Sequence, residues 1–366
     1  AVEKNESVKF TTIQKNKYEN LKSSIKRSEY NNLMAGNGNL ESTYNISNNN
    51  ELKVKNQKNL GSCWSFAFTS MIESTMKNGK EYSPMHIEYK TNEMFNRELS
   101  SGGNFYFGLA YLSSGNGPVY ESDFPFDSVY KENSNNGKEN LIRATLKDAT
   151  NLPSIYKTYN SDGTITYKNG NTSDANIYSK EEVNAIRTKI KEHIKEKGGI
   201  VSSFYSDIGI TNDGVYKSEH GYYNSEKSAY YGNGKNFESN STNHAVTIVG
   251  WDDNFSKDNF LDGNKPANDG AYIVLNSYGK EFGKNGYFYV SYDDFGIEQS
   301  MVEINEIKEE SSNAVKYTYQ YDELGGNIGI AGEVGKPMYA ANVFKKKDTS
   351  HTENLSEIGV TLLEAE

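Results

Sequence analysis

The stretch Gly61-Ser-Cys-Trp-Ser-Phe-Ala-Phe-Thr-Ser-Met-Ile-Glu-Ser-Thr-Met76 contains no Gly or Pro beyond its first residue. Within it Trp64, Ala67, Phe68, Met71, Ile72 and Met76 recur at three- and four-residue steps, so the run predicts a helix with that face buried. Cys63 then stands at the first turn, where free N–H groups and the positive end of the helix dipole favour a thiolate. It is the only cysteine in 366 residues, which excludes an intramolecular disulfide and any site built from several thiolates. Such a cysteine is inert, redox-active or a nucleophile.

Outward from this helix the pattern continues. Pro84 to Phe95 reads as a second helix and Phe105 to Leu112 as a third, introduced by Ser100-Ser-Gly-Gly103, so residues 50–150 are mainly helical. Ser179 followed three residues later by Glu182 is a capping-box signature. Val183, Ile186, Ile190 and Ile194 then share one helix face until Gly198-Gly199. Beyond that point Ile200 to Tyr205, His244 to Trp251, Ala271 to Leu275 and Tyr287 to Ser291 read as strands, making the second half a sheet domain. Residues 131–140 and 206–240, rich in Asn, Ser and Gly, read as surface insertions. Residues 1–42 form a polar arm. A polar run from Lys308 to Asn313 leads into Tyr317 to Glu366, a β-like piece with too little apolar material to stand as an independent unit.

Composition limits the partners. The net charge is −10 and no dense block of Lys and Arg provides a phosphate-binding stripe, so nucleic acid is not an expected partner. No apolar run approaches the ~18 residues of a membrane helix, and no membrane span is expected. The hydrophobic fraction is only 35%, yet 13% of residues are aromatic, 28 of them Tyr, so Tyr carries apolar bulk in a folded chain. The Ala1-Val2 start fits removal of a signal peptide, and equally a shortened chain.

A nucleophilic cysteine needs a base able to pair as imidazolium, and there are five histidines. His193 lies between charged neighbours on its helix and reads as solvated. His220 and His351 read as surface residues, and His86, near a helix start, as partly exposed packing. His244 differs: it heads the apolar strand Asn243-His-Ala-Val-Thr-Ile-Val-Gly-Trp251, where a side chain can be aimed rigidly into a cleft. An imidazole also needs its second nitrogen held by an acceptor. Asn276, at the end of Ala271 to Leu275, can do this from a neighbouring strand. For the oxyanion of an acyl transfer the candidates are the N–H of Cys63 and the side chain of Gln57. No cofactor and no metal site is expected, since Asp252-Asp253-Asn254 with Asp258 and Asp262 lacks the spacing of an EF-hand and reads as a solvated loop.

Gln57 with Gly61-Ser-Cys-Trp-Ser-Phe66, Asn243 to Trp251, and Asn276-Ser-Tyr-Gly279 with Gly286-Tyr-Phe288 together resemble the papain-like cysteine proteases, over about residues 45–300. The resemblance implies an α+β, two-lobed papain-like fold with a helical lobe and an antiparallel β-sheet or barrel lobe. It implies Cys63 as nucleophile, His244 as general base and acid, Asn276 as orienter and Gln57 as oxyanion donor. Gly102 and Gly103 match the paired glycines lining the family's substrate cleft, and Asn243, beside His244, is a further substrate-binding candidate.

Three departures stand out. Leu60 occupies the place of the signature's first cysteine, so the usual neighbouring disulfide is absent. Tyr278 stands where many members have Trp, and a phenol covers the His–Asn bond less completely. His244 follows Cys63 by 181 residues, beyond the ~130–150 of the family, and insertions at 131–180 and 206–240 account for the excess.

Within the family, Asn243 to Asn254, Gly221-Tyr-Tyr-Asn224, Tyr317-Thr-Tyr-Gln-Tyr-Asp322 and Ala341-Asn-Val-Phe344 resemble the clostridial cell-surface group, in which a papain-like domain precedes a lectin-like β-domain. The resemblance implies three parts. Residues 1–42 are a propeptide arm that blocks the cleft until cut, at Lys26-Arg27 or within Ala35 to Asn39. Residues 43–307 are the protease, with lobes at about 50–150 and 151–307, and residues 308–366 are a linker and the start of a lectin-like β-domain. The implied protein is a secreted endopeptidase, made as a zymogen at the cell wall or surface of a Gram-positive bacterium. It acts on protein or peptide substrates, including surface-layer proteins, and contacts wall or glycan through its C-terminal segment. The competing readings are a wall-binding adhesin on a relic protease fold, and another Cys–His acyl-transfer enzyme.

Overall fold

The computed structural model describes residues 40–48, 52–127, 141–211, 214–234 and 241–310, with residue 345 and the short pieces Thr11–Thr12 and Gly359–Val360. Most of the arm, His351 and nearly all of the segment after residue 310 lie outside the described residues. Helix α1 is Cys63–Met76, α2 is Pro84–Phe95 and α3 is Phe105–Ser113. The last two start on side-chain caps: Ser83 accepts from the His86 N–H, with Pro84 at the first helical position, and Asn104 accepts from the Tyr106 N–H. Helix α4, Lys180–Glu196, opens with the anticipated capping box between Ser179 and Glu182.

Helix α1 is buried on every side from Trp64 to Ser74, not on one face only. Trp64, Phe68, Met71 and Ile72 are fully covered, and their transfer from water, roughly 1.5–3 kcal/mol for each large apolar side chain, outweighs the modest helix propensity of the Trp, Phe, Ser and Thr around them. Four of its hydroxyls are satisfied locally: those of Ser65, Thr69, Ser74 and Thr75 donate to carbonyls three or four residues back.

The strands are β1 (Thr43–Asn45), β2 (Ala144–Asn151), β3 (Tyr156–Tyr159), β4 (Ile165–Lys168), β5 (Ile200–Phe204), β6 (Ile208–Ile210), β7 (Tyr216–Ser218), β8 (Tyr223–Asn224), β9 (Ala229–Tyr230), β10 (His244–Asp252), β11 (Ala271–Leu275), β12 (Tyr287–Ser291) and β13 (Met301–Glu309). Nine of them form one sheet in the order β2-β13-β5-β10-β11-β12-β9-β8, with β1 also paired to β10. Neighbours run antiparallel except β9 beside β12. The pairs β3–β4 and β6–β7 are separate hairpins.

Strand β10 is the hinge of the layout. Its residues 244–248 pair with β5, and 250–252 with β1. At the changeover a Cβ on Gly250 would lie 2.2 Å from the Tyr44 carbonyl oxygen, so the approach of β1 requires glycine. Alternation sends neighbouring side chains to opposite faces. Thr247 donates to the Ala67 carbonyl of α1 and Ala245 packs in the same cluster, whereas Val246 and Ile248 join Val183, Ile186 and Ile190 of α4. A layer of three helices on one side and a sheet backed by α4 on the other give the expected two-part α+β arrangement.

Several local expectations change. His193 is buried and sits 3.0 Å from Glu303, because positions 183, 186, 190 and 193 fall on one helical stripe whatever the charge of the residues between them. His86 is fully buried, with Nδ1 2.7 Å from the Tyr111 hydroxyl. Ala144–Asn151 and Met301–Glu309, neither foreseen as strands, pair with each other at the sheet edge. The 206–240 stretch is not wholly superficial, since Tyr222, Tyr223, Tyr230 and Tyr231 are buried in the core.

Candidate active site

Cys63 is the first residue of α1, half-buried, and accepts the Ala245 N–H at 3.4 Å. His244 is the first residue of β10 and 6% exposed. Its Nε2–H donates to Asn276 Oδ1 at 2.8 Å. The same oxygen accepts the Ser277 N–H at 2.8 Å, which fixes which end of the amide faces the histidine. Nδ1 is thereby left for the sulfur, whose negative charge raises His244 as His244 lowers the thiol. The structure thus brings together the three residues that the sequence placed on separate elements.

The two ionisable members move each other in opposite directions. Burial pushes the Cys63 thiol up, but the charge on His244, its hydrogen bond and the N–H groups of Ala245 and Trp64 outweigh burial and hold the thiol below its ordinary value. Burial pushes His244 down, and the facing thiolate together with Asn276 holds it above the usual imidazole range. This is the electrostatics of a thiolate–imidazolium pair.

Gln57 reaches the same place from the other lobe. Its N–H donates to the Ser277 carbonyl at 2.8 Å, Nε2 donates to the Leu60 carbonyl at 2.7 Å, and Oε1 accepts from Ser277 Oγ at 2.5 Å. The amide nitrogen keeps a second N–H, and the Cys63 N–H, at the helix start, has no partner inside the helix. Two residues upstream, Lys55 Nζ donates to Glu73 at 2.5 Å, to Thr69 Oγ1 and to the Tyr82 carbonyl, which ties the Gln57 segment to the helix that carries Cys63.

Aromatic rings enclose the imidazole. Tyr278 lies 4.9 Å from it at 38°, and Phe204 lies 5.7 Å away at 80°. On the other side, Gly61 donates to Ser100 Oγ at 2.7 Å and forms a parallel bridge with Ser101. Gly102 has φ +81°, and a Cβ on Gly103 would come within 2.4 Å of the Trp64 indole, so both positions require glycine. Arg97 holds this turn: it pairs with buried Glu88 at 3.0 Å, donates to the Gly102 carbonyl and lies over Trp64 and Phe107.

Asn243 is exposed, and both bonds of its side chain go to the Ser206 backbone, accepting its N–H at 2.6 Å and donating to its carbonyl at 2.9 Å. His220 is paired with Asp207 at 3.2 Å, away from the sulfur's partners. In the acidic run Asp253 pairs with Lys191, and Asp258 and Asp262 pair with Lys265. Among the described residues no group of three His, Cys, Asp or Glu side chains is placed to hold a metal ion, and no helix is long and apolar enough to cross a membrane. Sequence reasoning missed Ser277 and Ser206. Ser277 adjoins Asn276, but nothing in the sequence shows which way its hydroxyl turns.

Residues 41–305 match the family model for papain family cysteine proteases. The chain is 23% identical to mouse (Mus musculus) cathepsin J over 245 residues, 66% of this chain and 57% of that one. In fold it is similar to the cysteine protease and lectin-like domains of Cwp84, a surface layer associated protein of Clostridium difficile. That match has TM-score 0.54 and 23% identity, and covers 75% of this chain and 54% of that one. A Cwp84 structure after propeptide cleavage gives TM-score 0.53 at 22% identity, over 76% of this chain and 62% of that one. The chain spans 54–62% of the length of these three relatives. With 265 of its 366 residues inside the family model, the chain belongs to the papain family of cysteine proteases.

Proposed function

We propose that this chain is a cysteine endopeptidase that cleaves peptide bonds through an acyl-enzyme on Cys63. The observation that carries the reading is Cys63 bonded to the Ala245 N–H next to His244, and His244 bonded to Asn276, with thiol and imidazole displaced in the directions that favour the ion pair. The thiolate attacks the scissile carbonyl carbon. The developing oxyanion accepts from Gln57 Nε2 and from the Cys63 N–H, donors held in place before the charge appears. The His244 imidazolium gives its proton to the leaving nitrogen as the C–N bond breaks, and a thioester remains. Neutral His244 then takes a proton from water, the hydroxide attacks the thioester, and the acid departs as Cys63 is restored.

We further propose that the protein is a secreted zymogen of the bacterial surface that processes surface-layer proteins, with residues 308–366 opening a lectin-like domain that contacts wall or glycan. The similarity to Cwp84 supports this reading. The part of the 1–42 arm ahead of Leu40 serves as the blocking propeptide. The cut falls ahead of Leu40, since the Glu41 carbonyl already accepts from Trp251 Nε1 at 2.9 Å and the Ser42 carbonyl from the Asp253 N–H at 2.7 Å. Cys63→Ala tests the central claim: hydrolysis of unfolded protein and of labelled peptides is lost, and the N-terminal arm stays attached on incubation. A Cys63→Ala chain that still cleaves at the wild-type rate overturns it.

A further inference from the structure

We infer that the β6–β7 hairpin is a positioning element for the catalytic imidazole, and that Tyr216 is the residue through which it acts, by backing Tyr278 against the His244–Asn276 pair. The inference rests on the reading of Cys63 and His244 as the catalytic pair. The hairpin lies in the 206–240 insertion, which the family resemblance leaves without a task.

Its placement is specific. Tyr216 lies parallel to Tyr278, with centroids 6.1 Å apart and planes 8° from parallel, and its hydroxyl donates to the Tyr278 carbonyl at 3.2 Å. Phe282 stands edge-on to both rings, at 5.3 Å and 84° to Tyr278 and at 5.0 Å and 89° to Tyr216. Tyr278 is thus held at its ring and at its backbone, with its ring 4.9 Å from the imidazole. At the root of the hairpin the Ser206 backbone is doubly bonded to Asn243, the residue before His244. Asp207 accepts the Ser218 hydroxyl and the His220 N–H, each at 2.7 Å, which closes the hairpin on itself. The insertion therefore grips His244 from two directions, through the chain at Asn243 and through the rings at Tyr278.

The physical need is plain. A phenol is smaller than the indole that many relatives carry at this position, so a lone Tyr278 leaves more of the His244–Asn276 bond open to water and more freedom to tilt. A second ring stacked behind it restores the depth of the cover. Water reaching that bond competes for Asn276 Oδ1 and loosens the ring direction that attack and proton transfer require.

The ionisable groups facing this assembly are Cys63 from α1, Tyr278 from the segment after β11, and Tyr216 from the hairpin, with Glu281 beside Tyr216. When Tyr216 is lost, Phe204 still packs edge-on against His244, so burial persists while the partner geometry loosens. The net upward displacement of His244, which comes from those partners, then shrinks.

Tyr216→Ala and Tyr216→Phe in the full chain test this, with Tyr216→Leu as a variant that keeps apolar bulk without a ring. Turnover of a labelled peptide is measured with pH, together with the rate of Cys63 alkylation by iodoacetamide. Expected for Tyr216→Ala is a kcat lower by about tenfold with KM within about twofold, and an alkaline limb moved down by about half a pH unit. Tyr216→Phe keeps the ring and stays within about threefold of wild type, in line with one lost hydrogen bond. If the alanine chain does not fold, Tyr216→Leu, which lacks the stacking face, is read in its place with the same expectation. Folded variants with unchanged kcat and an unchanged alkaline limb overturn the inference, and so does a phenylalanine variant as impaired as the alanine one. A wild-type Cys63 that titrates as an ordinary thiol is a different result, since it overturns the catalytic reading itself.

Discussion

Two clusters of buried polar groups invite comparison. At the head of β10, His244, Asn276, Ser277 and Gln57 form a chain of hydrogen bonds, with Cys63 beside it on the Ala245 N–H. Beneath α4, Glu298 accepts from Lys157 at 2.8 Å, from Arg187 at 2.8 and 3.0 Å, and from the Tyr272 hydroxyl at 2.8 Å. Burial pushes Glu298 up, but its two cations outweigh that and hold it at about 2. At neutral pH no proton has reason to move there. In the first cluster each ionisable group draws the other toward its charged form, so their shared proton is poised to move. Burial is common to both clusters. They differ in the balance of partners: two cations locked on one carboxylate, against one thiol and one imidazole that share a proton.

The largest expected contrast comes from breaking the locked cluster. Glu298→Ala strands Lys157 and Arg187 without their counter-charge, the situation that costs about 3–5 kcal/mol for a broken buried pair. Measured as the urea midpoint, that is a large part of the roughly 5–15 kcal/mol of a whole domain. The wild-type carboxylate has its folded value depressed from the ordinary 4.5 to about 2. Its stabilisation is therefore complete above about 4.5 and is lost as pH falls through about 2. A Glu298→Ala chain as stable as wild type at neutral pH would show that these cations reach water on their own.

The poised cluster is tested without mutation, by the rate of Cys63 alkylation against pH. Because the thiol is lowered and the imidazole raised, each favours the charged form of the other, and the prediction is a window of pH in which the reactive pair persists. Reactivity falls on the acid side as the thiolate is protonated and changes again on the alkaline side as His244 loses its proton. The acid limb lies below the ordinary thiol range and the alkaline limb above the ordinary imidazole range. A single rise centred at the ordinary thiol value contradicts the ion pair.

Much of the poised cluster was legible in the sequence, and almost none of the locked one. Cys63, His244 and Asn276 each sit at the end of a regular element with a strong periodic signal, where a side chain is aimed by the element itself, and Gln57 lies just upstream of the helix. Glu298 lies outside any helix or strand, and its partners come from β3, α4 and β11, so only the fold unites them. His193 reads as solvated from its charged neighbours, which hide the helical stripe that buries it. The hairpin behind Tyr278 reads from its sequence as a surface insertion because Asn, Ser and Gly dominate its composition, while the stacking of a few tyrosines decides its packing. Local pattern finds groups aimed by one element, and misses groups assembled from several.

Ser277 is the smallest and most discriminating test of where the poised cluster ends. Its hydroxyl donates to Gln57 Oε1, but Gln57 is also held by its own N–H to the Ser277 carbonyl and by Nε2 to the Leu60 carbonyl. Ser277→Ala removes one of three restraints and leaves both backbone-directed ones. A single net hydrogen bond contributes about 0.5–1.5 kcal/mol, so kcat/KM falls by about two- to tenfold, far less than the ~10²–10³ of a deleted oxyanion donor. Alkylation of Cys63 by iodoacetamide generates no oxyanion, so its rate and pH profile stay at wild-type values. Turnover and alkylation that fall together would mean that the Ser277 hydroxyl serves the His244–Asn276 side, through the N–H it presents to Asn276, and that the two halves of the cluster are one unit.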